Sequence, residues 1–548
     1  MLASAAVDRR EFVKIVITGS LASIGCPDAA LRDRAPASAK PRGAAGAPDQ
    51  IVRAEINTYC HAVRDGAEVR LPRPSRHHPI VIVGGGAAGL AAAHALGDRP
   101  YLLIEKEPAV GGNATGGTWR GVGFSSGTSY NSEPIIKELA AGLGVTLLPI
   151  DSADGMIVKD IFVPEFFRDG VRRAPYPQTV RDAFRRFLDT YRDYDVDREV
   201  ERLDNLPFAE ILKDYPREVR DFFDSYGPNN WGARVQDTSA YIGLQAAHWM
   251  GGLEPGRFTG EQGFGLLTRA LGERVVARGT DRLITGATVV RVARDGDRIL
   301  VAYVPPGEAT APIAAGGAAS PAPAAAPSPG EGTASPAAIP RVECVSADSV
   351  VMAAPKLIVK YVVAGLPKDQ EDALFNFRYI PYMVANLCFD GVVHDSCFDV
   401  NVPAPDLMSD VVCADWVKAR GQGDAKRPTV LTSYMPQLEE NRDLLLDEAK
   451  VRDRALEALG RIDRWFPGAA VRCREIQVRL RGHPMHLATC GMITKWAPLA
   501  RRSFGAIHFA GTDGLGEVSD LGGALTTGRT AAEAALASLD AAARRRHA

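Results

Sequence analysis

Three glycines have the spacing that a protein backbone needs to approach a diphosphate. Gly84, Gly86 and Gly89 fit the pattern G-x-G-x-x-G. The first glycine permits a tight turn, the second lets the backbone approach the phosphates, and the third lets a helix pack closely on a strand. A helix that begins here would direct free N–H groups and the positive end of its dipole at the phosphates. The pattern therefore predicts a dinucleotide site that includes Ala87 and Ala88 at the start of the helix.

The segments around these glycines have the pattern of one βαβ unit over residues 80–105. A short β-branched strand precedes the turn, an Ala-rich helix follows it, and residues 101–105 form a second apolar strand. Glu105 ends that strand, where a carboxylate accepts hydrogen bonds from an adenosine ribose and disfavours a 2′-phosphate. Lys106 follows directly and is included among the predicted cofactor contacts.

Two later segments indicate which dinucleotide binds. Gly112 and Asn113 offer a second point of close backbone approach soon after Glu105. Far downstream, the apolar segment 507–510 ends in Gly-Thr-Asp, and a helix begins near residue 521. A carboxylate there could hold ribityl hydroxyls, and the helix start could offer N–H groups to a flavin carbonyl. A site divided between the two ends of the chain is typical of FAD binding, and the further predicted contacts are Gly511, Asp513, Leu521 and Ala524.

The blocks 80–113, 285–292, 348–355 and 507–534 resemble the flavin-containing amine oxidase superfamily, and residues 60–66 and 482–485 are similar to its spermidine-dehydrogenase-like members. The resemblance implies an α/β fold, with a glutathione-reductase-like FAD-binding Rossmann domain and an interleaved α+β substrate domain. It also implies FAD as the cofactor, with Val289 in contact with the adenine. A small amine is the implied substrate, and O2 or a redox protein is the implied electron acceptor.

Three positions depart from the family pattern. Asn386 stands where monoamine-oxidase-type enzymes carry a lysine that holds a water at the flavin, Asp520 replaces a flavin-facing aromatic residue, and Asn113 replaces an arginine. Asn386, His483 and Asp520 are the candidate catalytic residues. His483 is a pocket residue or base, or else a core histidine, and Asp520 is an active-site acid or else the N-cap of the last helix. His483, His486 and Cys490 lack a fourth ligand, so no metal site is predicted.

The pattern divides the chain into a signal, an arm and two interleaved domains. Residues 305–340, rich in Ala and Pro, are predicted to be a disordered insertion in a hairpin. The predicted ranges are 1–26 for a signal, 27–78 for an N-terminal arm, 79–150, 260–365 and 495–540 for the FAD-binding domain, and 151–259 and 366–494 for the substrate domain.

The first 26 residues resemble a twin-arginine export signal. Arg9 and Arg10 are followed by Phe12, Lys14 and a weakly apolar stretch over 15–25. This route carries folded proteins, which suits a protein that loads a cofactor before export, and it predicts a periplasmic location. Lipid anchoring at Cys26 is a weaker alternative.

Composition and charge exclude several classes of function. The net charge is −2 with 64 basic and 66 acidic residues, which gives no general attraction to nucleic acid. No run of 18 apolar residues occurs, so the chain is not predicted to span a membrane.

The predicted function is FAD-dependent oxidation of an amine by hydride transfer. A carotenoid-type desaturase or isomerase and a non-catalytic flavin-binding electron-transfer partner remain the alternatives.

Overall fold

The fold contains two large sheets, as a computed structural model shows for residues 14–16, 58–252, 256–307, 339, 341–404, 407–419 and 424–547. The first is a seven-stranded sheet whose strands come from widely separated parts of the sequence. Its path runs through Leu283–Ile284, Leu102–Ile104, Arg76–Val83, Glu343–Met352, Arg298–Val304 and Thr288–Asp295, with Ile507–Phe509 paired to Glu343–Met352.

The centre of this sheet is parallel because helices return the chain to the same edge. Strand Arg76–Val83 pairs in parallel with Leu102–Ile104 and with Glu343–Met352. Helix Ala87–Leu96 connects the first two, which forms the predicted βαβ unit. Helices Pro134–Leu143, Gly265–Ala277 and Leu521–His547 contribute to the same apolar core. The predicted Rossmann-type α/β fold is therefore confirmed.

The second sheet has eight strands and is largely antiparallel. Its order is Lys14–Val16, Cys473–His486, Tyr379–Phe389, Thr429–Pro436, Met408–Cys413, Asp399–Ala404, Gly155–Val158 and Ile161–Val163. Further strands are Gly116–Trp119 paired with Val122–Ser125, Leu148–Pro149 paired with Phe258–Thr259, and Glu261–Phe264.

Helices surround the second sheet and fill the junctions between the two sheets. The longer ones are Gln178–Tyr191, Arg217–Asn230, Ala240–Trp249, Lys368–Phe375 and Glu448–Trp465. The shorter ones are Thr58–Arg64, Val171–Arg173, Val200–Asp204, Phe208–Ile211, Lys356–Val362, Trp416–Ala419, Ala469–Arg472 and Ala497–Ala500. Short 3-10 turns cover Val196–Glu199, Met250–Gly252, Thr280–Arg282 and Glu439–Leu446, and π turns cover Phe166–Gly170 and Met492–Trp496.

The two faces of the eight-stranded sheet differ in chemistry. In the central strand Tyr379–Phe389, Ala385 and Leu387 point to one face and belong to a large apolar core. Asn386 points to the other face, where the hydroxyl of Tyr434 donates over 2.6 Å to the carbonyl of Gly127, in the loop after strand Val122–Ser125. The second face therefore borders the glycine-rich segments.

Several local predictions can be compared with these elements. The alternating pattern of residues 285–304 predicts a hairpin around residues 295–297, and the antiparallel pairing of Thr288–Asp295 with Arg298–Val304 confirms it. The amphipathic pattern of residues 437–465 predicts a helix over that range, but the α-helix begins only at Glu448, because the Asp447 side chain accepts a hydrogen bond from the Lys450 amide and caps it there.

Most of two predicted segments lies outside the described residues. Within the Ala/Pro segment 305–340, only residues 305–307 and 339 are described. Within the predicted signal 1–26, only Lys14–Val16 is described, as a strand beside residues 475–477.

Candidate functional site

Protein packing requires a glycine at two positions of the glycine-rich turn, Gly84 and Gly89, but not at Gly86. A Cβ on Gly84 would lie 2.7 Å from the carbonyl oxygen of Ala353, and one on Gly89 would lie 1.8 Å from the carbonyl oxygen of Gly84. Gly86 has φ −73° and ψ −176°, and a Cβ there would meet only the Gly112 Cα at 3.8 Å. The fold therefore tolerates a side chain at Gly86, and its absence leaves room for a ligand.

The second glycine segment runs alongside the first. The amide of Gly111 donates to the carbonyl of Gly85 over 2.9 Å, and a Cβ on Gly112 would lie 2.9 Å from the Gly86 Cα. The first hydrogen bond of the following helix runs from the Leu90 amide to the Gly86 carbonyl. The amides of residues 86–89, which include Ala87 and Ala88, are therefore at the helix start, where such groups bind phosphate.

Glu105 lies at the end of its strand, beside the glycine turn. It is 7% exposed, and its carboxylate accepts hydrogen bonds from the amides of Gly85 at 2.5 Å and Glu107 at 2.7 Å. Burial raises the pKa of Glu105 above its ordinary value, although Lys106 and the two amides oppose this. The carboxylate is thus fixed at the position from which it was predicted to contact a ribose.

We expect Gly86→Ala to weaken FAD binding without unfolding the protein. The added methyl group makes only an ordinary contact in the protein but occupies the point where a pyrophosphate approaches the backbone. The dissociation constant for FAD should rise about tenfold to a hundredfold, equivalent to about 1.4 to 2.8 kcal/mol. Fluorescence titration of the apoprotein with FAD measures the change.

Gly142→Ala is the matched control, because a Cβ on this helical glycine would meet nothing within 4 Å. Its FAD affinity should equal that of the wild type. An unchanged FAD affinity in Gly86→Ala would show that the glycine-rich turn does not hold the cofactor.

Arg481 is a site residue that the sequence did not reveal. Its Nη2 donates to the carbonyl of Gly112 at 2.6 Å and to Thr115 Oγ1 at 3.3 Å, and its buried Nε has no hydrogen-bond partner among the described residues. Burial and the neighbouring Arg479 lower the pKa of Arg481 to about 9, while Glu107 opposes them. A guanidinium with an open donor beside the glycine-lined backbone suits an anionic cofactor group, such as a diphosphate.

Asp513 belongs to a buried ionic group that joins the two sheets. Its carboxylate accepts hydrogen bonds from the Lys356 amide at 2.8 Å, from Lys356 Nζ at 2.9 Å and from the hydroxyl of Tyr379. Burial alone would raise the pKa of Asp513, but the Lys356 ammonium group holds it below its ordinary value. A ribityl contact stays a prediction, and the structure adds these protein partners, which the sequence did not indicate.

Asn386 lies on the sheet face that borders the glycine-rich segments, and the space between that face and those segments is named the cleft here. It is 1% exposed, and its Oδ1 accepts a hydrogen bond of 2.7 Å from Thr432 on the neighbouring strand. Gln477 is its partner in the strand on the other side. The side chain is therefore held in place on the face where the sequence predicted a group that contacts the flavin.

His483 is half-buried, and the centroid of its ring lies 6.5 Å from that of the Tyr379 ring. Burial, followed by the positive charges of Arg442 and His61, lowers its pKa to about 3. The imidazole is therefore neutral at physiological pH and takes a proton poorly, which disfavours the general-base hypothesis and leaves the two other hypotheses, a polar pocket residue or a core histidine.

Asp520 caps the last helix. Its Oδ1 accepts a hydrogen bond of 2.7 Å from the Gly523 amide, and its Oδ2 accepts one of 3.3 Å from Asn131. Burial raises the pKa of Asp520, and the Gly523 amide opposes this. The predicted cap is confirmed, and Leu521 and Ala524 are buried just behind it. An acid role in catalysis stays a prediction.

The remaining predicted contacts lie on several different elements of the fold. Val289 is 8% exposed within the seven-stranded sheet. Lys106 is exposed and pairs with Glu107, and Asn113 Nδ2 donates to the carbonyl of Pro484 over 3.0 Å. Asn113 thus links the second glycine segment to the strand that carries Arg481. Gly511 has φ +144°, which permits its close approach to Asp513.

In the part of the chain that the structure describes, no group of three or more His, Cys, Asp or Glu side chains has the arrangement of a metal site. None of the described helices combines the length and apolar character that crossing a membrane requires.

Solved structures with the same fold include several proteins that are named as oxidases. Putrescine oxidase bound to putrescine matches with a TM-score of 0.59 and 16% identity, covering 84% of this chain and 99% of that one. Cyclohexylamine oxidase from Brevibacterium oxydans IH-35A matches with a TM-score of 0.58 and 15% identity, covering 84% and 99%. A protein described as a protoporphyrinogen oxidase, from Exiguobacterium sp. 255-15, matches with a TM-score of 0.56 and 15% identity, covering 86% and 100%. At these identities the likeness shows the fold alone.

No curated protein sequence matches the chain. The family model for FAD dependent oxidoreductases matches residues 79–407, which is more than half of the chain. This match agrees with the arrangement of the glycine-rich turn and with the buried Glu105. It also agrees with Arg481, whose Nε has no hydrogen-bond partner among the described residues. The chain therefore belongs to the FAD-dependent oxidoreductase family.

Proposed function

We propose that this FAD-dependent oxidoreductase oxidises an amine at the carbon next to nitrogen and releases an imine that water hydrolyses. The observation that carries the proposal is the sheet face opposite the glycine-lined cleft, where Asn386 is held in a fixed orientation by Thr432. Two fold neighbours act on amines by name, putrescine oxidase and cyclohexylamine oxidase. The bound flavin would supply the hydride acceptor.

The protein residues orient the reactants and control charge. Asn386 is buried, and its fixed carboxamide offers hydrogen-bonding groups to a substrate or an ordered water in the cleft. Neutral His483 adds a polar side chain without a competing positive charge. Tyr434 Oη donates to the carbonyl of Gly127, which fixes the sheet face to the loop that follows strand Val122–Ser125. Such fixed geometry lowers the cost of placing a substrate C–H against the cofactor.

The test is anaerobic reduction of the purified yellow protein by a panel of amines, alcohols and polyenes. We expect loss of the oxidised flavin absorbance with at least one class of amine and none with alcohols or polyenes. Reduction by a polyene alone would favour the desaturase alternative, and no reduction by any compound would favour an electron-transfer partner. Reoxidation of the reduced protein with O2 or with a redox protein then identifies the acceptor.

We also propose that the protein is exported to the periplasm by the twin-arginine route. The support is the sequence of residues 9–25 alone, with its paired arginines before a weakly apolar stretch. Changing both Arg9 and Arg10 to Lys should keep the FAD-loaded protein in the cytoplasm. Cell fractionation with an immunoblot measures this, with a Lys14→Arg variant as the control. Undiminished export of the double variant would overturn the proposal.

A further inference from the structure

A short helix in the predicted N-terminal arm lies beside the residues that are predicted to contact the adenosine of FAD. This helix, Thr58–Arg64, is named the arm helix here. The match to the family model begins only at residue 79, so the arm helix is an addition to the matched part of the chain. Its packing shows which part of the molecule it is placed to cover.

Two apolar side chains anchor the arm helix on the seven-stranded sheet. Tyr59 is fully buried in a small apolar core that includes Val290 and Val304. Val63, one turn later, packs against this core and against the larger cluster that contains Val289, the predicted adenine contact. Side chains four positions apart lie on one side of a helix, so this side of the arm helix is fixed to the strand of Val289.

Cys60, next to the first anchor, lies near the carboxylate that is predicted to contact the ribose. Burial raises the pKa of Cys60 to about 11. The charge of Lys106 opposes this rise, and the charges of Glu107 and Glu105 add to it. Lys106 is itself a predicted cofactor contact, and it is exposed. The arm helix therefore borders the end of strand Leu102–Ile104, where the predicted ribose site lies.

His61, the next residue, is close to the predicted substrate domain. Burial, followed by the charge of Arg64, lowers the pKa of His61, and Asp65 opposes them. The charge of Arg442, from the predicted substrate domain, lowers it further. His61 is in turn one of the groups that lower the pKa of His483. The arm helix thus extends from the adenosine side of the Rossmann-type sheet to the segment that carries His483.

An element in this position can enclose a ligand that the glycine-rich turn leaves partly open. The turn and Glu105 are suited to the diphosphate and one ribose of a dinucleotide. Ligand sites in proteins usually enclose most of the ligand surface, so the adenosine needs further walls. The arm helix supplies one beside Val289 and Glu105, and its own apolar core holds it there.

We propose that the arm helix covers the adenosine half of bound FAD, with Cys60 against the adenosine, and that this cover slows the release of the cofactor. The inference concerns the cofactor alone and does not depend on which substrate the flavin oxidises. It gives the predicted N-terminal arm a function in cofactor retention.

The first test measures how fast iodoacetamide alkylates Cys60 in the full-length apoprotein, alone and with FAD, ADP or FMN. Cys60 and Cys490 are the described cysteines that are not buried, so the reagent can reach both. FAD and ADP carry adenosine and should slow the alkylation of Cys60 by about tenfold or more, because access to a thiol controls its reactivity. FMN lacks adenosine and should leave that rate nearly unchanged. Mass spectrometry of the peptides gives the rate at each cysteine.

Cys490 is the internal control for this test. It lies near Asp204 and Asp237, away from the predicted adenosine contacts, so none of the three ligands should change its alkylation rate. Equal alkylation of Cys60 with and without FAD would overturn the inference. Equal slowing at both cysteines, or slowing of Cys60 by FMN as strong as that by ADP, would indicate a general tightening of the protein and would also contradict it.

The second test disrupts the arm helix without touching the glycine-rich turn. In Ala62→Pro, the proline removes a helical hydrogen bond and clashes with the preceding turn. FAD should then leave the loaded full-length protein about tenfold faster, since affinity differences between variants are mostly differences in dissociation rate. Recovery of FAD fluorescence after dilution measures the rate.

Ala62→Ser is the matched control, because serine is accepted in a helix far better than proline. It should release FAD at nearly the wild-type rate. An unchanged rate in Ala62→Pro would show that the arm helix does not retain the cofactor. The labelling test needs no substitution, so it decides the matter if Ala62→Pro fails to fold. Both tests measure binding, and their outcome is separate from whether an amine reduces the flavin.

Discussion

Replacement of Lys356 by Met is expected to lower the free energy of unfolding by about 3 to 5 kcal/mol, because it leaves a buried carboxylate without its cation. Lys356 is fully buried, and its Nζ lies 2.9 Å from Asp513 Oδ1 and 3.1 Å from the carbonyl of Ala510. Methionine fills similar space but offers no charge to Asp513. Urea unfolding of the apoprotein measures the loss without the added stability that bound FAD gives.

The dependence of the unfolding free energy on pH tests whether the unpaired charge of Asp513 causes the loss of stability in Lys356→Met. In the wild type the pKa of Asp513 is below its ordinary value, so its contribution to stability is present above about pH 4 and is lost as the pH falls further. In Lys356→Met, uncompensated burial should raise this pKa above the unfolded value. Protonation then stabilises the folded variant as the pH falls, so the difference between the two proteins should shrink between about pH 8 and pH 5.

Lys368→Met is the control, because Lys368 is an exposed lysine that pairs with Asp372 one helical turn away. It should leave the urea midpoint unchanged. A loss of stability in Lys356→Met that is the same at every pH would attribute the effect to packing and contradict the charge argument. Adding Asp513→Asn to Lys356→Met should restore part of the stability, since it removes the unpaired charge.

The arrangement of the glycine-rich turn and of Glu105 could be predicted from the sequence because the residues that determine it are close together in the chain. The turn at Gly84, the helix start at Ala87 and the carboxylate of Glu105 lie within one βαβ unit, and their roles follow from spacing alone. The last helix was also predicted, but its packing was not. Gly528 allows that helix to cross Ala88, since a Cβ there would lie 2.1 Å from the Ala88 carbonyl oxygen.

The polar groups that link the two sheets could not be predicted, because they depend on strand register. Arg481 contacts Gly112 across 369 positions of sequence, and Lys356 meets Asp513 across 157. Neither pair has a local pattern that indicates its partner. Arg479 and Arg481 are two positions apart in one strand and therefore share a face. Only the pairing of that strand with Tyr379–Phe389 shows that this is the face of Asn386.

The same limit applies to the candidate catalytic residues. The resemblance placed Asn386 at the position of the family lysine, and the register then showed Thr432 as the donor that fixes its side chain. For His483 the sequence left three roles open, which are a polar pocket residue, a base and a core histidine. Burial and the surrounding positive charges disfavour the role of a base.

Replacement of Asn386 by Ala is expected to slow flavin reduction by substrate roughly 10² to 10⁴-fold while FAD stays bound, the range typical for loss of a positioned catalytic group. The carboxamide is buried and fixed by the Thr432 hydroxyl, so its loss removes an oriented polar group from the cleft. Flavin retention is predicted to depend instead on residues such as Gly86 and Glu105, which the substitution does not touch. Anaerobic stopped-flow reduction measures the rate, and the absorbance ratio at the flavin and protein bands measures retention.

Two further variants separate chemistry from packing. Asn386→Leu restores most of the volume without the polar group, so it should be as slow as Asn386→Ala although it should be more stable. Ser433→Ala removes a buried polar group in the neighbouring strand, where Ser433 is opposite Ala385 and therefore points to the apolar face. It should reduce its flavin at the wild-type rate. If Asn386→Leu also reduced its flavin at the wild-type rate, the carboxamide would have no part in the reaction, and Asn386 would contribute only to packing.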